Sequence, residues 1–463
     1  MTFPDSVSRL TRQLKVRNWR SPAVQLAVAV LLLLGACYYM IQVQPLLGTA
    51  GTGVPGLTSH QNDYKHIYLG SRMLARGDSP YDPEALLREA GLYAATEDAR
   101  FRTILPYVYP PFTGWALRPL TALPFAWSAA AFQVVNHLLV LGGLLLAVRL
   151  ALVRSWLLAA GVTLLLTAFN HALLRQNNAG QLNAVLLAGF ALLYAGVRRG
   201  WPAPVLGGLT AFLMLFKLSP GIFLIWFLLR REWARAVWTA AAAVILTAGM
   251  VMLYGVRNHL DFIPVLQDMG YGQSTWAEFG HTFWRDQGNV SPNATFHRLF
   301  VEREGSAFTP WTDLGHGAAN VMTWAVSLLV FFGFAFGTES GRLRRRLEAP
   351  FALAICTSLL LPSILWDHYL VQLLLPLVLL AACALRTARP AVPLGLLAFS
   401  AVIVCLPLPL GAEAFSSGPG LLVQSLKLLP VLICYGLALW FVFAPETDVE
   451  GRHGETCDTM RIA

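Results

Sequence analysis

One lysine stands where its neighbours suit it least. Residues 203–229 are almost entirely apolar, yet the middle of the run reads Phe216-Lys217-Leu218-Ser219-Pro220-Gly221. A charge inside an apolar run is costly and is usually functional. Pro220 disfavours helix through its N-terminal neighbours, so the run should fold as two short helices of about 10–14 residues with Lys217 at the break. An ammonium beside the free amides of a broken helix would suit a phosphate. The structural alternative is a lysine that snorkels to the nearest interface.

Other candidates are polar groups in excess of what a turn needs. Arg175-Gln176-Asn177-Asn178-Ala179-Gly180-Gln181-Leu182-Asn183 joins two apolar runs, where a shorter polar turn would serve. Amides both donate and accept, which matches sugar hydroxyls; a solvated loop is the plain alternative. Trp366-Asp367-His368-Tyr369 fills another such turn. Upstream, Asn62-Asp63-Tyr64-Lys65-His66-Ile67-Tyr68 continues to Leu74 with apolar residues at 64, 67, 68, 73 and 74, a spacing that predicts a helix lying on the membrane surface. Asp63 would fall in its first turn, where a carboxylate complements the helix dipole. Gly77-Asp78-Ser79-Pro80-Tyr81-Asp82 ends that helix as a turn, and Tyr107-Val108-Tyr109-Pro110-Pro111-Phe112 makes a rigid corner. A later stretch carries Trp276, Phe279, His281, Phe283, Trp284, Asp286, Asn289, Ser291, Asn293, His297 and Arg298. Aromatic faces beside amides suit carbohydrate, and equally suit a loop anchored at an interface.

The elements that must position these groups are membrane helices. Of 463 residues 56% are hydrophobic and 13% charged, against about 25% charged in a soluble domain. Fourteen Trp, 26 Phe and 13 Tyr supply residues for the lipid headgroup level. A soluble enzyme, a disordered regulator and a disulfide-knotted module are excluded. The net charge of +9 does not point to nucleic acid, because the basic residues flank hydrophobic runs and report topology. Cys37, Cys356, Cys383, Cys405 and Cys434 lie in apolar segments and Cys457 in the C-terminal tail, so no disulfide framework or zinc site is expected.

Apolar runs lie near 23–46, 127–149, 156–174, 180–197, 203–229, 234–254, 316–337, 349–365, 367–385, 391–410 and 421–443, with an interfacial segment at 111–125. The basic clusters at Arg149/Arg154, Arg198/Arg199, Arg230/Arg231/Arg235, Arg342/Arg344/Arg345/Arg346 and Arg386/Arg389 all face the cytoplasm if the 203–229 run doubles back. The expectation is an all-α polytopic membrane protein of about 11–13 membrane helices, counting short broken or re-entrant ones. A basic N-terminus (1–22) and a polar tail (445–463) would be cytoplasmic. Between them a membrane domain (23–444) carries two outer regions near 47–107 and 255–315. No P-loop, GxGxxG after a strand, HExxH or GxSxG is present. A nucleotide-linked donor has no site here, whereas a lipid-linked one is natural.

The motifs, taken in order, resemble glycosyltransferase family 87, polytopic GT-C-type enzymes typified by polyprenyl-phosphate-mannose-dependent α-mannosyltransferases. The resembling elements are Asp63-Tyr64, the turn 77–82, Val108-Tyr109-Pro110-Pro111-Phe112 with Pro119-Leu120, and Gly180-Gln181-Leu182-Asn183. They continue with Lys217-Leu218-Ser219-Pro220, Asn289-Val290-Ser291-Pro292-Asn293 with Arg298-Leu299, and Trp366-Asp367-His368. The family's Asn-Gln-Ser is here Asn289-Val290-Ser291, a departure in that loop. The resemblance implies a GT-C-type fold and an inverting transferase in the inner (plasma) membrane, active on the periplasmic or exterior side. It would move a hexose, mannose by family habit, from a polyprenyl phosphate to a lipid- or glycan-linked acceptor, with no cofactor or metal and no nucleic-acid partner. Asp63 occupies the position of the general base; Lys217, Arg175 and His368 would hold the donor phosphate. Tyr64, Tyr109, Gln181, Asn183, Asn289, Asn293, Trp366 and Asp367 would contact sugar or acceptor. The rival reading is a transporter or flippase of a lipid-linked sugar, since many spans around an intramembrane lysine also describe a carrier. Carriers, however, favour repeated halves with paired broken helices, and one break is visible here.

Overall fold

The computed structural model describes residues 62–444, apart from 154, 275, 278–282, 285, 303–307, 342–346 and 388, together with four isolated positions before residue 62. The expected N-terminal segment and anchor, the polar tail, Phe279, His281 and the Arg342–Arg346 cluster lie outside these residues, the anchor save for those four positions.

Among the described residues the chain is helical, with two isolated β-bridges, Asn289 to Trp366 and Thr309 to Ser417. The first helix, α1 (Asn62–Ala75), carries Asp63 in its first turn and Arg72 in its last. It is more enclosed than a surface helix: every residue from Tyr64 to Ser71 is buried. Lys65 is buried with them and donates to the carbonyls of Arg100 and Thr103 at 3.0 and 2.9 Å. Burial, then the charge of Arg100, lowers its pKa. Helix α2 (Pro83–Thr96) is capped by Asp82, whose carboxylate accepts from the Glu84 and Ala85 amides. Helix α3 (Pro111–Leu117) follows the Pro-Pro corner. The Tyr107 ring presses against α1 at Gly70, where a Cβ would stand 2.3 Å from Tyr107 Cδ2; only glycine fits there.

The membrane bundle then unfolds in order: α4 (Phe125–Ala151), α5 (Trp156–Ala168), α6 (His171–Ala179), α7 (Asn183–Arg199), α8 (Ala203–Phe216) and α9 (Ile222–Leu229). After α10 (Trp233–Asp268) come α11 (Pro292–Phe300), α12 (Gly315–Ser340), α13 (Glu348–Leu360) and a tight helical turn, Asp367–Leu373. That turn runs into α14 (Leu374–Ala384), and α15 (Ala391–Cys405) and α16 (Leu429–Phe443) complete the fold. Helix α10 is broken at Gly255, whose φ of 77° no ordinary residue favours. Its second half, placed at sequence level in an outer loop, is a helix that buries Phe262 and Val265 and exposes Leu260 and Ile263.

Among the described residues, five helical stretches are long and apolar enough to cross a membrane, or six if the α5–α6 pair, bent by 70°, counts as one span. Four more apolar helices are shorter. The apolar runs are thus crossings of unequal length, because Asn170, Lys217-Leu218-Ser219-Pro220 and Pro362 interrupt them. The doubling back of 203–229 is present. Gly196 meets Leu206 and Gly189 meets Leu213, so α8 runs antiparallel to α7. Phe190 then packs on Phe223, and Tyr194 and Trp226 share Phe351, so α9 returns along it.

The bundle has two chemically distinct ends. At one, Arg198 and Arg386 donate to buried Glu348 at 2.8 and 3.2 Å, and Arg231 pairs with Glu339 at 3.2 Å. At the other, about 25 Å along α7, lie the 180–183 turn, the Lys217 break and the 366–368 turn.

Candidate active site

The Gly180-Gln181-Leu182-Asn183 turn forms because α6 ends on Gly180 in the left-handed region (φ 72°) and α7 starts at Asn183. Its amides are taken up by the protein rather than left open. The Gln181 side chain donates to the Asp63 carboxylate and accepts from the Tyr109 hydroxyl at 3.0 Å. Its backbone carbonyl accepts from Asn136 and from Gln176. Tyr109 is fully enclosed, and burial, then the charges of Tyr369 and Asp63, holds its phenol well above the ordinary value. It therefore stays a donor and fixes which way the Gln181 amide faces.

Asn183 is fully buried. Its side-chain oxygen accepts from Lys217 at 3.2 Å and from Gln372 at 2.9 Å, while its amide donates to Gln176 at 2.8 Å. Lys217 ends α8 in an extended conformation, φ −157°. The carbonyl of Phe216 before it accepts from Thr113 at 2.7 Å, which satisfies one orphan group at that helix end. The Lys217 ammonium lies 3.4 Å above the centre of the Tyr369 ring, a cation–π placement that holds a charge without neutralising it.

Asp63 keeps 16% of its side chain exposed. His368 Nε2 lies 3.9 Å from one of its oxygens, and His368 Nδ1 lies 3.5 Å from Asp367. The imidazole stacks on Trp366 with ring planes 13° apart. Arg175, half-exposed, approaches Asp367 at 3.5 Å. A cavity of about 400 Å³ opens beside Lys217, walled by Leu218, Leu266, Leu361, Ile364 and Leu365, with Tyr109, Tyr369 and Gln372 among its polar residues.

Asp63, Tyr109, Gln181, Asn183, Lys217, Arg175, Asp367, His368 and Trp366 are thus brought to one end of the bundle. Three other candidates are occupied elsewhere. Tyr64 is buried, its hydroxyl on Ser128 at 2.7 Å and its ring stacked on Phe132. Asn289 is saturated: it donates to the Phe283 and Ser363 carbonyls and accepts from the Ser291 and Leu365 amides. Asn293 donates to Ser363 and accepts from the Gly272 amide. These two asparagines tie Gly272, Phe283 and Ser291 to the Ser363–Leu365 segment that leads to Trp366. Sequence reasoning passed over Lys427 and used Tyr369 only as a neighbour. Lys427 carried the same signal as Lys217, a lone charge in an apolar run.

The sequence profile described as Glycosyltransferase family 87 matches residues 107–410, well over half of the chain. The chain belongs to this family. The matched segment holds every site residue named above except Asp63 and Tyr64, which precede it, and Lys427, which follows it. Two curated proteins of Mycolicibacterium smegmatis are similar over shorter stretches. One is a polyprenol-phosphate-mannose-dependent α-(1-2)-phosphatidylinositol pentamannoside mannosyltransferase, 31% identical over 165 residues, which are 35% of this chain and 39% of the relative. The other is a polyprenol-phosphate-mannose-dependent α-(1-2)-phosphatidylinositol mannoside mannosyltransferase, 32% identical over 157 residues, 30% of this chain and 34% of the relative. The chain thus spans between a third and two fifths of the relatives it matches. No solved structure matches it.

Proposed function

We propose that this family 87 protein is an inverting glycosyltransferase that moves a hexose, mannose by its relatives' names, from a polyprenyl phosphate to a lipid- or glycan-linked hydroxyl. Its membrane is the inner (plasma) membrane, its N-terminus is cytoplasmic, and its site faces the other side. The observation that carries this reading is the pairing of a partly open carboxylate, Asp63, with an ammonium, Lys217, through one short turn beside an apolar cavity. The apolar walls suit the first isoprene units of a donor, and Lys217 suits its phosphate.

In the reaction the acceptor oxygen attacks the anomeric carbon from the face opposite the phosphate. Its proton passes to Asp63, and the bond from that carbon to the phosphate oxygen breaks. The phosphate leaves as an anion that needs no proton, only cations to hold its growing charge. Lys217 and His368 serve there, with Arg175 at the exposed margin. Gln181 and Tyr109 keep the Asp63 carboxylate aimed at the acceptor, and Trp366 offers a flat face for a sugar ring. A carrier of lipid-linked sugar is the weaker reading, because family membership points to transfer. The test is to offer the purified protein labelled polyprenyl-phosphate mannose with a lipid extract. Label in a new glycolipid supports transfer; label moved across vesicles without a new product supports the carrier.

A further inference from the structure

Lys427 stands outside every motif considered so far and beyond the segment that matches the family. It is 2% exposed, on the turn Leu426–Leu428 that leads into α16. Its ammonium reaches His171 Nδ1 at 3.2 Å and Asp367 Oδ2 at 3.4 Å. The turn is pinned from the far side, since Arg298 and Thr295 both bond the Ser425 hydroxyl, at 2.9 and 3.0 Å. An ammonium so enclosed holds its place only because its partners are fixed.

The consequence runs through Asp367. Lys427 and Arg175 both face its Oδ2, which leaves Oδ1 toward His368 Nδ1 at 3.5 Å. A carboxylate beside Nδ1 fixes the ring's orientation and accepts its N–H, which puts the buried Nε2 3.9 Å from Asp63; in the cationic ring that serves the phosphate, Nε2 carries a proton to donate as well. We propose that Lys427 is a positioning residue, which acts through Asp367 to aim His368 at the reacting centre. The proposal rests on the reading that His368 serves the leaving phosphate.

The test uses the full chain in lipid nanodiscs, with polyprenyl-phosphate mannose as donor and a lipid extract as acceptor. Phosphate charge grows as the bond breaks, so a misaimed His368 harms turnover more than donor binding. Lys427→Met should lower kcat by about tenfold or more with donor KM within about threefold. Lys427→Arg should restore most of the rate. Asp367→Asn and the double variant should be about equally slow, because the two residues act along one path. Wild-type kcat in Lys427→Met, or losses that multiply in the double variant, would overturn the proposal. His368→Ala separates the two levels: a normal rate there removes the site reading beneath, whereas a slow His368→Ala beside a normal Lys427→Met removes Lys427 alone. Should the Met variant fail to fold, Lys427→Gln is read by the same criteria.

Discussion

Gln181 and Asn183 flank a single leucine, and the first grips Asp63 while the second grips Lys217. Asp63 and Gln181 are 118 positions apart in the chain. One turn therefore sets the spacing between the Asp63 carboxylate and the Lys217 ammonium that faces the cavity. The amides that promised sugar contacts at sequence level serve here to hold charged side chains in place.

That arrangement makes Gln181 separable from Lys217. Gln181→Ala removes the donor to Asp63 and leaves Lys217 on Asn183. Turnover should fall about tenfold or more, since misplacing a reacting group by about an ångström is enough for such losses. Donor affinity should stay near wild type. A matching loss of donor affinity would mean that Gln181 touches the donor itself.

Lys217→Met keeps most of the apolar stem of the side chain and removes its charge. A hydrogen bond to a charged group contributes about 1.5–3 kcal/mol, so donor affinity should weaken by roughly 10–100-fold. Binding of a fluorescent polyprenyl-phosphate donor in nanodiscs checks this. Unchanged affinity would make Lys217 an anchor held by Asn183 and Tyr369.

Some of this geometry was legible in the sequence. Pro220 announced the break at Lys217, the apolar spacing announced α1, and the charge clusters placed the Arg198–Glu348–Arg386 end opposite the site. What stayed hidden was side-chain partnership across long separations. Nothing local tells that Asn289 is consumed by Ser363 and Leu365, or that Tyr64 faces Ser128. The 255–268 helix was hidden for a different reason. Arg257, His259, Asp261 and Asp268 gave it a loop's polarity, while the apolar residues among them keep helical spacing.

The opposite end offers a stability test that leaves the chemistry alone. Glu348 keeps 3% of its side chain exposed between Arg198 and Arg386. Breaking a fully buried pair destabilises by about 3–5 kcal/mol, and the loss here is smaller because Arg198 and Arg386 are each more than a third exposed. Glu348→Ala should lower the thermal midpoint in detergent, and the folded fraction should bind donor normally. An unchanged midpoint would mean that the arginines are solvated without it.

Sidedness can be measured with single cysteines at exposed positions, after the native cysteines are replaced. Asp78→Cys and Asp313→Cys should react with an impermeant maleimide in intact cells, while Arg199→Cys should react only after lysis. Labelling of Arg199→Cys in intact cells would reverse the assigned orientation.

The central claim is that Asp63 takes the acceptor's proton. Asp63→Asn keeps the size of the side chain and can still pair with Gln181, but cannot accept that proton. A positioned base contributes about 10²–10⁴-fold, whereas losing a carboxylate from a helix's first turn costs only about 0.3–1 kcal/mol of stability. The decisive measurement is steady-state transfer from labelled polyprenyl-phosphate mannose by Asp63→Asn, taken beside its donor affinity. The account predicts turnover lower by at least about a hundredfold with donor affinity unchanged. Activity within a few-fold of wild type would contradict it and assign the proton to another residue.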